Sequence, residues 1–244
     1  MAYFANPIGA ERYDRFRPKV HASALQWLAT KTGLRRYRSA LDVACGTGES
    51  TKPLLEIADV VEGVDSSWEM VAHARAKGLQ VGVATYENLP SRRYDLLTVC
   101  MAFHWFDRSR ALHSFARASE DSATWFIYNF AFGGHSTDDE FNHWLRSWYY
   151  TLFPSPARNE QDFRVRNGDD GLVELAHESG AMLISLDRAG LIGYLTTQSN
   201  VEAKVQSGSN YERIERQIEA SMPETTTSEF RYAYTYTVVS FNRG

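Results

Sequence analysis

Short apolar runs alternate with segments of helical periodicity through the first half of the chain. Val20, Leu25 and Leu28 recur at the spacing of one helix face. Ser39–Ala44 is instead a mostly apolar run that leads into glycines, as a buried strand does. Strands that alternate with helices in this way are typical of a parallel sheet covered on both faces, which predicts an α/β fold. The predicted strands are 39–44, 60–65, 79–84, 94–101 and 123–129, and the predicted helices are 20–31, 48–57, 67–77 and, behind an Asp107 cap, 107–118.

The pattern changes after Phe130. Three capping boxes, in which a hydroxyl and a carboxylate satisfy exposed helix donors, each predict the start of a helix. A further segment predicts one more helix and one more strand. The β-rich end of the chain predicts a long antiparallel strand at the edge of the sheet. In chain order these are boxes at Thr137, Ser199 and Ser209, a helix at 169–179, a strand at 181–187 and the edge strand at 230–241.

Composition narrows the class of protein. Hydrophobic residues are 43% of the 244 and charged residues 23%, which is ordinary for a globular domain and excludes disordered and fibrous classes. The net charge of −4 opposes a broad electrostatic contact with nucleic acid. No apolar run is long enough for a membrane helix, and the N-terminal residues lack the apolar stretch of a signal peptide. We expect one cytoplasmic domain over 1–244, with an N-terminal arm at about 1–19.

The strongest candidate site is the segment Leu41-Asp-Val-Ala-Cys-Gly46-Thr-Gly48. A strand that ends in a glycine turn presents free backbone N–H groups and lets a ligand approach closely. Asp65 ends the next predicted strand 19 positions after Gly46, where a doubly wound sheet brings its carboxylate beside the turn to accept ribose hydroxyls. The third glycine of a dinucleotide fingerprint and the lysine of a P-loop are missing, which favours a nucleoside without a pyrophosphate. The alternative is a plain tight turn followed by a helix-capping acid.

These segments resemble a known family. LDVACGTGEST resembles motif I, and VVEGVDSSWEMVAHAR the second motif, of class I S-adenosylmethionine-dependent methyltransferases. Cys100–Asp107 and Tyr13–Pro18 resemble a small-molecule subfamily typified by trans-aconitate methyltransferase. The resemblance covers about residues 10–130. It implies a Rossmann-like sheet of seven strands, mostly parallel with the last strand antiparallel. The sequence departs from the family pattern in two places. The family's usual turn is replaced at 118–122, and 132–166 is an insert that we expect to form an aromatic-rich helical lid over the substrate.

The resemblance also implies S-adenosylmethionine as the cofactor. Asp65 is expected to hold the ribose, and Arg17 is the best cation for the methionine carboxylate, because a guanidinium pairs with a carboxylate through two hydrogen bonds. An exposed arginine in a flexible arm is the alternative for Arg17. The expected cofactor-binding residues are Tyr13, Arg17, Ala44, Gly46, Gly48, Asp65, Ser66, Met70, Thr85, Tyr86, Met101 and Ala102.

Candidate chemistry follows the fourth predicted strand. His104 is the tentative catalytic residue, as a general base, although a structural histidine is the commoner case. Trp105 either packs in the core or faces the sulfonium. Asp42 either orients the glycine loop or is a plain structural acid. Cys45 and Cys100 are expected to be packing residues, and no metal is expected because no ligand spacing is present.

Aromatic residues concentrate in and around the insert and predict the acceptor. One helix face packed on the core accounts for some of them, but not for both Tyr149 and Tyr150. Because aromatic walls stack on flat rings, we expect a small planar aromatic or heteroaromatic metabolite, methylated on oxygen or ring nitrogen, and no nucleic-acid or membrane partner. The alternatives are carboxylate O-methylation of a small aconitate-like acid, or a protein that keeps the cofactor pocket without transferring methyl. The expected substrate-binding residues are Trp105, Phe130, Trp144, Trp148 and Tyr194.

Overall fold

A computed structural model describes residues 6–33, 36–159, 162–224 and 228–242. These residues form one seven-stranded sheet. Its strands are β1 (Tyr37–Val43), β2 (Ala58–Asp65), β3 (Val81–Val83), β4 (Tyr94–Cys100), β5 (Ser119–His135), β6 (Leu172–Ser185) and β7 (Glu229–Phe241). Their order across the sheet is β3-β2-β1-β4-β5-β7-β6.

Helices of three kinds accompany the sheet. The α-helices of the described ranges are α1 (Pro7–Phe16), α2 (His21–Lys31), α3 (Trp68–Ala76), α4 (Arg108–Arg117), α5 (Asp139–Trp144), α6 (Tyr150–Leu152), α7 (Arg188–Leu195), α8 (Ser199–Gln206) and α9 (Tyr211–Ser221). Two 3-10 helices span Lys52–Glu56 and Phe103–Trp105, and a π-helix, Leu145–Tyr149, joins α5 to α6. None of the described helices has the length and hydropathy of a membrane-spanning segment.

Five strands pair in parallel, and this pairing fixes where the loops meet. β1 lies between β2 and β4, with Asp42 beside Gly63 on one side and beside Thr98 on the other. β3 pairs with β2, and β5 with β4, also in parallel. The carboxyl ends of β1, β2 and β4 therefore lie at one edge of the sheet, which is where ligands bind in sheets of this class. The predicted α/β fold with a mostly parallel sheet is confirmed.

The last strand has the predicted antiparallel direction but not the predicted edge position. β7 lies between β5 and β6, so the edge strand is β6. β7 is antiparallel to β5, because Ser122 contacts Asn242 at one end while the Ser136 N–H donates to the Glu229 carbonyl at the other. Its contacts with β6 run in the same antiparallel sense. Residues 236–239 are all buried, as expected for a strand with a neighbour on each side.

The helix predicted at 169–179 is wrong, whereas the strand predicted at 181–187 is the second part of a longer strand. β6 instead runs without interruption through Gly180. A β-carbon on Gly180 would lie 2.6 Å from the Tyr234 hydroxyl, so the glycine permits close approach of β7 and does not end a helix. Val173 and Leu175 are exposed at 54% and 50%, which is the alternation of a strand and not the face of a helix.

The helix starts test the predicted caps. Asp107 caps α4 as predicted, because its carboxylate accepts a backbone N–H of the helix at 2.9 Å. The three capping boxes are each wrong by one residue, since Asp and Asn are as good at this position as Ser and Thr. The boxes at Thr137, Ser199 and Ser209 are replaced by N-caps at Asp138, Gln198 and Asn210, of which Gln198 makes no side-chain capping bond.

Two further elements differ from the sequence pattern. The helix predicted at 48–57 is a turn followed by the 3-10 helix Lys52–Glu56, because Pro53 removes a backbone donor early in the segment. The N-terminal arm contains the unpredicted helix α1. Its first turn has Pro7 at a position that suits proline, and the Asn6 side chain accepts from the Gly9 N–H at 2.6 Å.

The chain divides into two compact units. The core of the second unit packs strand residues such as Leu41 and Val99 around Trp125. The core of the first unit is mostly aromatic, and Phe130 stacks on Tyr232 with 5.3 Å between ring centroids. The first unit comprises the described residues of Met1–Pro18, Phe130–Ala157 and Gly180–Tyr234, and the second those of Lys19–Asn129, Arg158–Ser179 and Thr235–Gly244.

The π-helix Leu145–Tyr149 ends between two adjacent tyrosines that differ in exposure. The wider π turn directs Tyr149 inward, where it is fully buried and its hydroxyl donates to the Leu195 carbonyl at 2.7 Å. Tyr150 remains 36% exposed. Only one of the two tyrosines is buried, which agrees with the expectation that one helix face does not account for both.

Candidate functional site

The glycine loop after β1 is held in a left-handed backbone conformation. Ala44, Gly46 and Gly48 have φ angles of 59°, 54° and 86°. The Cys45 N–H donates to the Val64 carbonyl at 3.0 Å, which attaches the loop to the end of β2. Glycine tolerates such angles and leaves the backbone open to a close approach.

Asp42 anchors this loop from beneath. It is fully buried, and its carboxylate accepts the hydroxyls of Ser50 and Thr51 at 2.7 Å each and of Thr98 at 2.8 Å. Burial raises the pKa of Asp42, and the three hydroxyl donors oppose that rise. Asp42 thereby ties β1 and β4 to the far end of the loop through side-chain hydroxyls, which is the arrangement of a structural acid.

Asp65 lies directly beside the glycine loop, as the spacing predicts. Its two carboxylate oxygens accept the backbone N–H groups of Gly46 and Ser67, each at 2.9 Å. Burial raises the pKa of Asp65, and these backbone donors oppose the rise. A carboxylate has about four acceptor positions, so its bonds to backbone N–H groups leave room for a hydroxyl donor of a ligand. Next to it, Ser66 is exposed, and Met70 is buried in the first turn of α3.

The two loop glycines have different surroundings. A β-carbon on Gly46 would meet nothing within 4 Å, so the protein itself leaves the space above this residue open. A β-carbon on Gly48 would overlap the Leu79 side chain and lie 3.2 Å from the Ala74 β-carbon. Gly48 is therefore required by packing, whereas Gly46 borders open space that a ligand can enter.

The loop after β3 carries the two residues expected near the adenine. Thr85 is exposed and accepts an N–H from Asn88 through its backbone carbonyl. Tyr86 stacks on Phe106 with 4.2 Å between centroids, and its hydroxyl accepts the Asp107 N–H at 3.2 Å. Both residues therefore belong to an ordered loop of the second unit.

A strained turn follows β4 and leads into the histidine segment. Met101 has a φ of 54°, and its N–H donates to the Tyr128 carbonyl at 2.9 Å. The 3-10 helix that follows is held by Asn159, whose backbone N–H donates to the His104 carbonyl and whose side chain donates to the Phe106 carbonyl. This segment is therefore rigid on both sides.

His104 is buried and uncharged. It is 5% exposed, and its burial, followed by the positive charge of Arg158, lowers its pKa to about 3. The Arg158 guanidinium lies 5.4 Å from the centroid of the Trp105 ring. A neutral imidazole offers one hydrogen-bond donor and one acceptor, but it is a weak base.

A small cavity adjoins His104 within the second unit. The Asn129 side-chain oxygen is buried and has no hydrogen-bond partner among the described residues. Sequence reasoning missed Asn129, although it directly follows the apolar run of β5, where a polar residue reaches the functional edge of the sheet. The cavity is lined by Ala102, Phe103, His104, Ile127, Tyr128, Asn129, Phe163 and Thr235.

The cysteines have the packing character that the sequence predicts. Both are buried and free of disulfides. Burial raises the pKa of the Cys45 thiol well above its ordinary value, which opposes a nucleophilic role. The described residues contain no group of three His, Cys, Asp or Glu side chains that could hold a metal ion.

The predicted aromatic residues of the first unit are mostly buried. Phe130 and Tyr194 are 3% and 1% exposed, and Trp144 donates its indole N–H to the Ser221 hydroxyl at 3.1 Å. Trp148 stacks on Trp144 at 5.5 Å and is partly exposed. These rings therefore hold the first unit together, whatever they contribute to a ligand.

The predicted site residues thus form two groups. One group is within the second unit: Ala44, Gly46, Gly48, Asp65, Ser66, Met70, Thr85, Tyr86, Met101, Ala102, His104 and Trp105. The other is within the first unit: Tyr13, Arg17, Phe130, Trp144, Trp148 and Tyr194. Of these, Gly46 and Asp65 are in direct contact.

Comparison with known proteins agrees with this geometry. Residues 40–121 match the family model described as a methyltransferase domain. The trans-aconitate 2-methyltransferases of Mycobacterium tuberculosis and Mycobacterium bovis are each 33% identical to this chain over 81 residues, which are 32% of this chain and 31% of the relative. The match therefore spans about a third of the length of these curated relatives.

Solved structures are similar over most of the chain. A protein of Anaeromyxobacter dehalogenans proposed to be a type II methyltransferase has a TM-score of 0.61 and 21% identity, covering 93% of this chain and 98% of that one. The YcgJ protein of Bacillus subtilis has a TM-score of 0.55 and 16% identity, covering 92% and 100%. Phosphoethanolamine N-methyltransferase 2 of Haemonchus contortus, solved with S-adenosylhomocysteine, has a TM-score of 0.52 and 12% identity, covering 98% and 58%. At these identities the similarity establishes the fold alone.

The first prediction separates the two loop glycines. Gly46→Ala is expected to cost about 1 kcal/mol of unfolding free energy, because only its backbone angle is strained. The same change should weaken the binding of S-adenosylhomocysteine at least tenfold, because the alanine methyl group would occupy the open space above residue 46. Gly48→Ala should destabilise the protein further, because its methyl group meets Leu79 and Ala74. Urea unfolding and titration calorimetry measure both quantities, and unchanged ligand affinity in Gly46→Ala would locate the ligand elsewhere.

The second prediction concerns pH. The folded protein keeps His104 neutral until about pH 3, whereas the unfolded chain takes up a proton near pH 6.5. Between those values the unfolded state binds more protons, so stability falls as pH falls. Between pH 6.5 and pH 5, we expect the free energy of unfolding to fall by roughly 1.5 kcal/mol less in His104→Gln than in wild type. Urea unfolding at both pH values tests this, with the exposed His113→Gln as control, and equal slopes in wild type and His104→Gln would refute it.

Proposed function

We propose that this protein transfers a methyl group from S-adenosylmethionine to a small molecule, because residues 40–121 match the family model described as a methyltransferase domain. The observation that carries the proposal is the pairing of Gly46 with Asp65, because it joins a glycine turn and an acid at the ends of neighbouring parallel strands. Such a pair suits a nucleoside without a pyrophosphate. The open space above Gly46 and the remaining acceptor positions of Asp65 fit the cofactor's adenosine.

Each part of the cofactor has a proposed set of residues. Asp65 would accept the ribose hydroxyls, with Ser66 and Met70 beside the nucleoside. Thr85 and Tyr86 would lie near the adenine. The turn residues Ala44, Gly46, Gly48, Met101 and Ala102 would border the remainder.

The chain's contribution to the reaction is mainly binding and orientation. The cofactor supplies an activated methyl group on a sulfonium. Aligning an acceptor with that methyl can supply several kcal/mol without a strong base, on the order of what well-placed intramolecular reactions gain. His104, being neutral, would accept a hydrogen bond from an O–H or N–H group of the acceptor and so orient it. Trp105 would exclude water from the reacting groups and present its ring to the sulfonium.

For the acceptor, we propose a small planar aromatic or heteroaromatic metabolite methylated on oxygen or ring nitrogen. The support is the set of aromatic side chains that the sequence analysis singled out, namely Trp105, Phe130, Trp144, Trp148 and Tyr194. The net charge of −4 supports a free small molecule over nucleic acid, and we place the reaction in the cytoplasm.

Two alternatives have their own support. The names of the mycobacterial relatives support carboxylate O-methylation of a small acid such as an aconitate-like compound. A protein that keeps the cofactor pocket without transferring methyl would share the same loop, since fold and binding site do not settle the reaction.

A labelling experiment tests the proposed function. The protein is incubated with S-adenosylmethionine carrying a deuterated methyl group, together with planar phenols and N-heterocycles or with aconitate-like acids. We expect labelled product from the planar panel. Labelled methyl esters of the acids alone would favour the first alternative, and bound cofactor without any labelled product would favour the second.

A matched pair of aspartates in β2 tests the cofactor site. Asp65→Ala should weaken the binding of S-adenosylhomocysteine by about ten- to a hundredfold, which corresponds to the loss of roughly one charged hydrogen bond. Asp59→Ala removes an exposed aspartate paired with Arg36 at 2.7 Å and should leave the affinity unchanged. Titration calorimetry distinguishes them, and equal affinities would contradict the assignment.

A further inference from the structure

The small cavity beside His104 contains a hydrogen-bond acceptor that the protein does not pair. The side-chain oxygen of Asn129 is buried and has no hydrogen-bond partner within the described ranges. His104 lines the same cavity and is itself buried. Burying an amide oxygen without a donor costs free energy, so an apolar side chain would suit this place better if the oxygen had no role.

The alternation along β5 places the Asn129 side chain on the face of the sheet that carries this cavity. Every second residue of a strand faces the same side of a sheet. Trp125 and Ile127 belong to a buried cluster that also contains Phe103 of the 3-10 helix. Asn129 is the next position of this series, and its side chain therefore extends toward the same 3-10 helix.

Thr235 brings a hydroxyl to the same face from β7. The Thr237 hydroxyl donates to the carbonyl of Phe163, which is another wall of the cavity, at 2.8 Å. Thr235 lies two positions earlier and so projects from the same side of β7. The rings of Phe103 and Phe163 meet edge to face with 4.8 Å between centroids. The cavity therefore combines an imidazole, an amide and a hydroxyl with rigid apolar walls.

The size of the cavity restricts what it can hold. Its volume is about 10 Å³, which is the space of one water molecule. A buried water typically forms about three hydrogen bonds, and the side chains of His104, Asn129 and Thr235 provide that number of polar groups. One water is therefore sufficient to connect the imidazole of His104 to the Asn129 oxygen.

The neutral imidazole of His104 has two different nitrogens, of which one carries a proton and donates while the other accepts. Burial and the positive charge of Arg158 both favour this neutral form. Which nitrogen carries the proton depends on the hydrogen-bond partner of each. The Asn129 oxygen has lone pairs and no proton, so the negative end of this amide dipole favours an N–H on the ring nitrogen nearer to it.

We propose that Asn129 is a positioning residue which, through one water in this cavity, holds the His104 proton on the nearer ring nitrogen. The other nitrogen is then left to accept a hydrogen bond from the substrate. This inference rests on the proposed function and narrows its substrate class. A phenol or a ring N–H can donate a proton to that nitrogen, whereas a carboxylate at neutral pH has none to donate.

A crystal structure at high resolution and imidazole NMR together test the arrangement. The crystal structure identifies the ring nitrogen of His104 nearer to Asn129, and we expect one water within about 3.2 Å of the Asn129 oxygen. NMR of protein labelled with ¹⁵N-histidine identifies the protonated nitrogen, and His104→Gln assigns the signals. We expect the proton on the nearer nitrogen, in a single neutral tautomer between about pH 5 and pH 8.

Three variants separate positioning from a purely structural role. Asn129→Leu keeps a similar size without an acceptor and should make both neutral tautomers of His104 detectable. Asn129→Asp puts a negative charge in the cavity and should raise the pH at which His104 becomes protonated by at least about one unit, because an opposite charge favours the imidazolium. Asn242→Asp adds the same charge at an exposed position after β7 and should leave His104 unchanged.

Binding of phenol and of benzoate, each with S-adenosylhomocysteine present, tests the selection of substrate by calorimetry. Wild type should bind phenol at least about tenfold more tightly than benzoate, which corresponds to roughly one hydrogen bond. Asn129→Leu should lose most of this preference, and Asn242→Asp should retain it. A wild type that binds benzoate as tightly as phenol contradicts the selection.

The outcomes separate this inference from the proposed function. A proton on the ring nitrogen farther from Asn129, or the same single tautomer in Asn129→Leu as in wild type, overturns the positioning role. If Asn129→Leu does not fold, an unchanged protonation of His104 in Asn129→Asp overturns it equally. The NMR measurements need neither cofactor nor turnover, so a wild type that binds no S-adenosylhomocysteine would contradict the methyltransferase proposal alone.

Discussion

Three hydroxyl groups from two places in the chain donate to the buried carboxylate of Asp42, and the loop after β1 takes its position from them. A buried carboxylate without such donors would be costly, so the acid and its hydroxyls are required together. With the loop fixed, the Gly46 N–H reaches Asp65 at the end of the neighbouring strand. The candidate nucleoside site therefore depends on an acid that is itself inaccessible to a ligand.

The parallel sheet determines why the functional residues gather where they do. β1, β2 and β4 end at one edge, and each is followed by a turn with special backbone geometry or a polar cap. Left-handed residues at Gly46 and at Met101 turn the chain sharply at two of these ends. The candidate site residues are therefore those that lie at the carboxyl ends of these strands, whatever their side-chain type.

Sequence reasoning succeeds where nearby residues specify one local structure, and fails where the requirement comes from a distant residue or where several neighbouring residues can meet it. The glycine turn, the Asp65 spacing and the Asp107 cap all depend on residues near one another in the chain, and the structure has each of them. Gly180 was interpreted as the end of a helix. The structure requires glycine there because Tyr234, more than fifty positions away in the chain, lies too close for a β-carbon. Asp138 and Asn210 displaced the predicted caps because several residue types satisfy the same helix donors.

The candidate site shows the same division. Arg158 and Asn159 contact the His104 segment across a long loop, and no sequence spacing indicates that contact. The pKa of His104 depends on this burial and charge, so its protonation state could not be predicted from the sequence. Tyr149 required knowledge of a π-helix turn, and the periodicity of a regular helix cannot supply it.

The central claim is that Asp65 and the Gly46 turn bind the adenosine of S-adenosylmethionine, and a crystal structure with S-adenosylhomocysteine tests it most directly. The account predicts both ribose hydroxyls within about 3 Å of the Asp65 carboxylate oxygens, with the ligand occupying the space above Gly46. A ligand bound away from this edge of the sheet, with Asp65 contacting only Gly46 and Ser67, would contradict it.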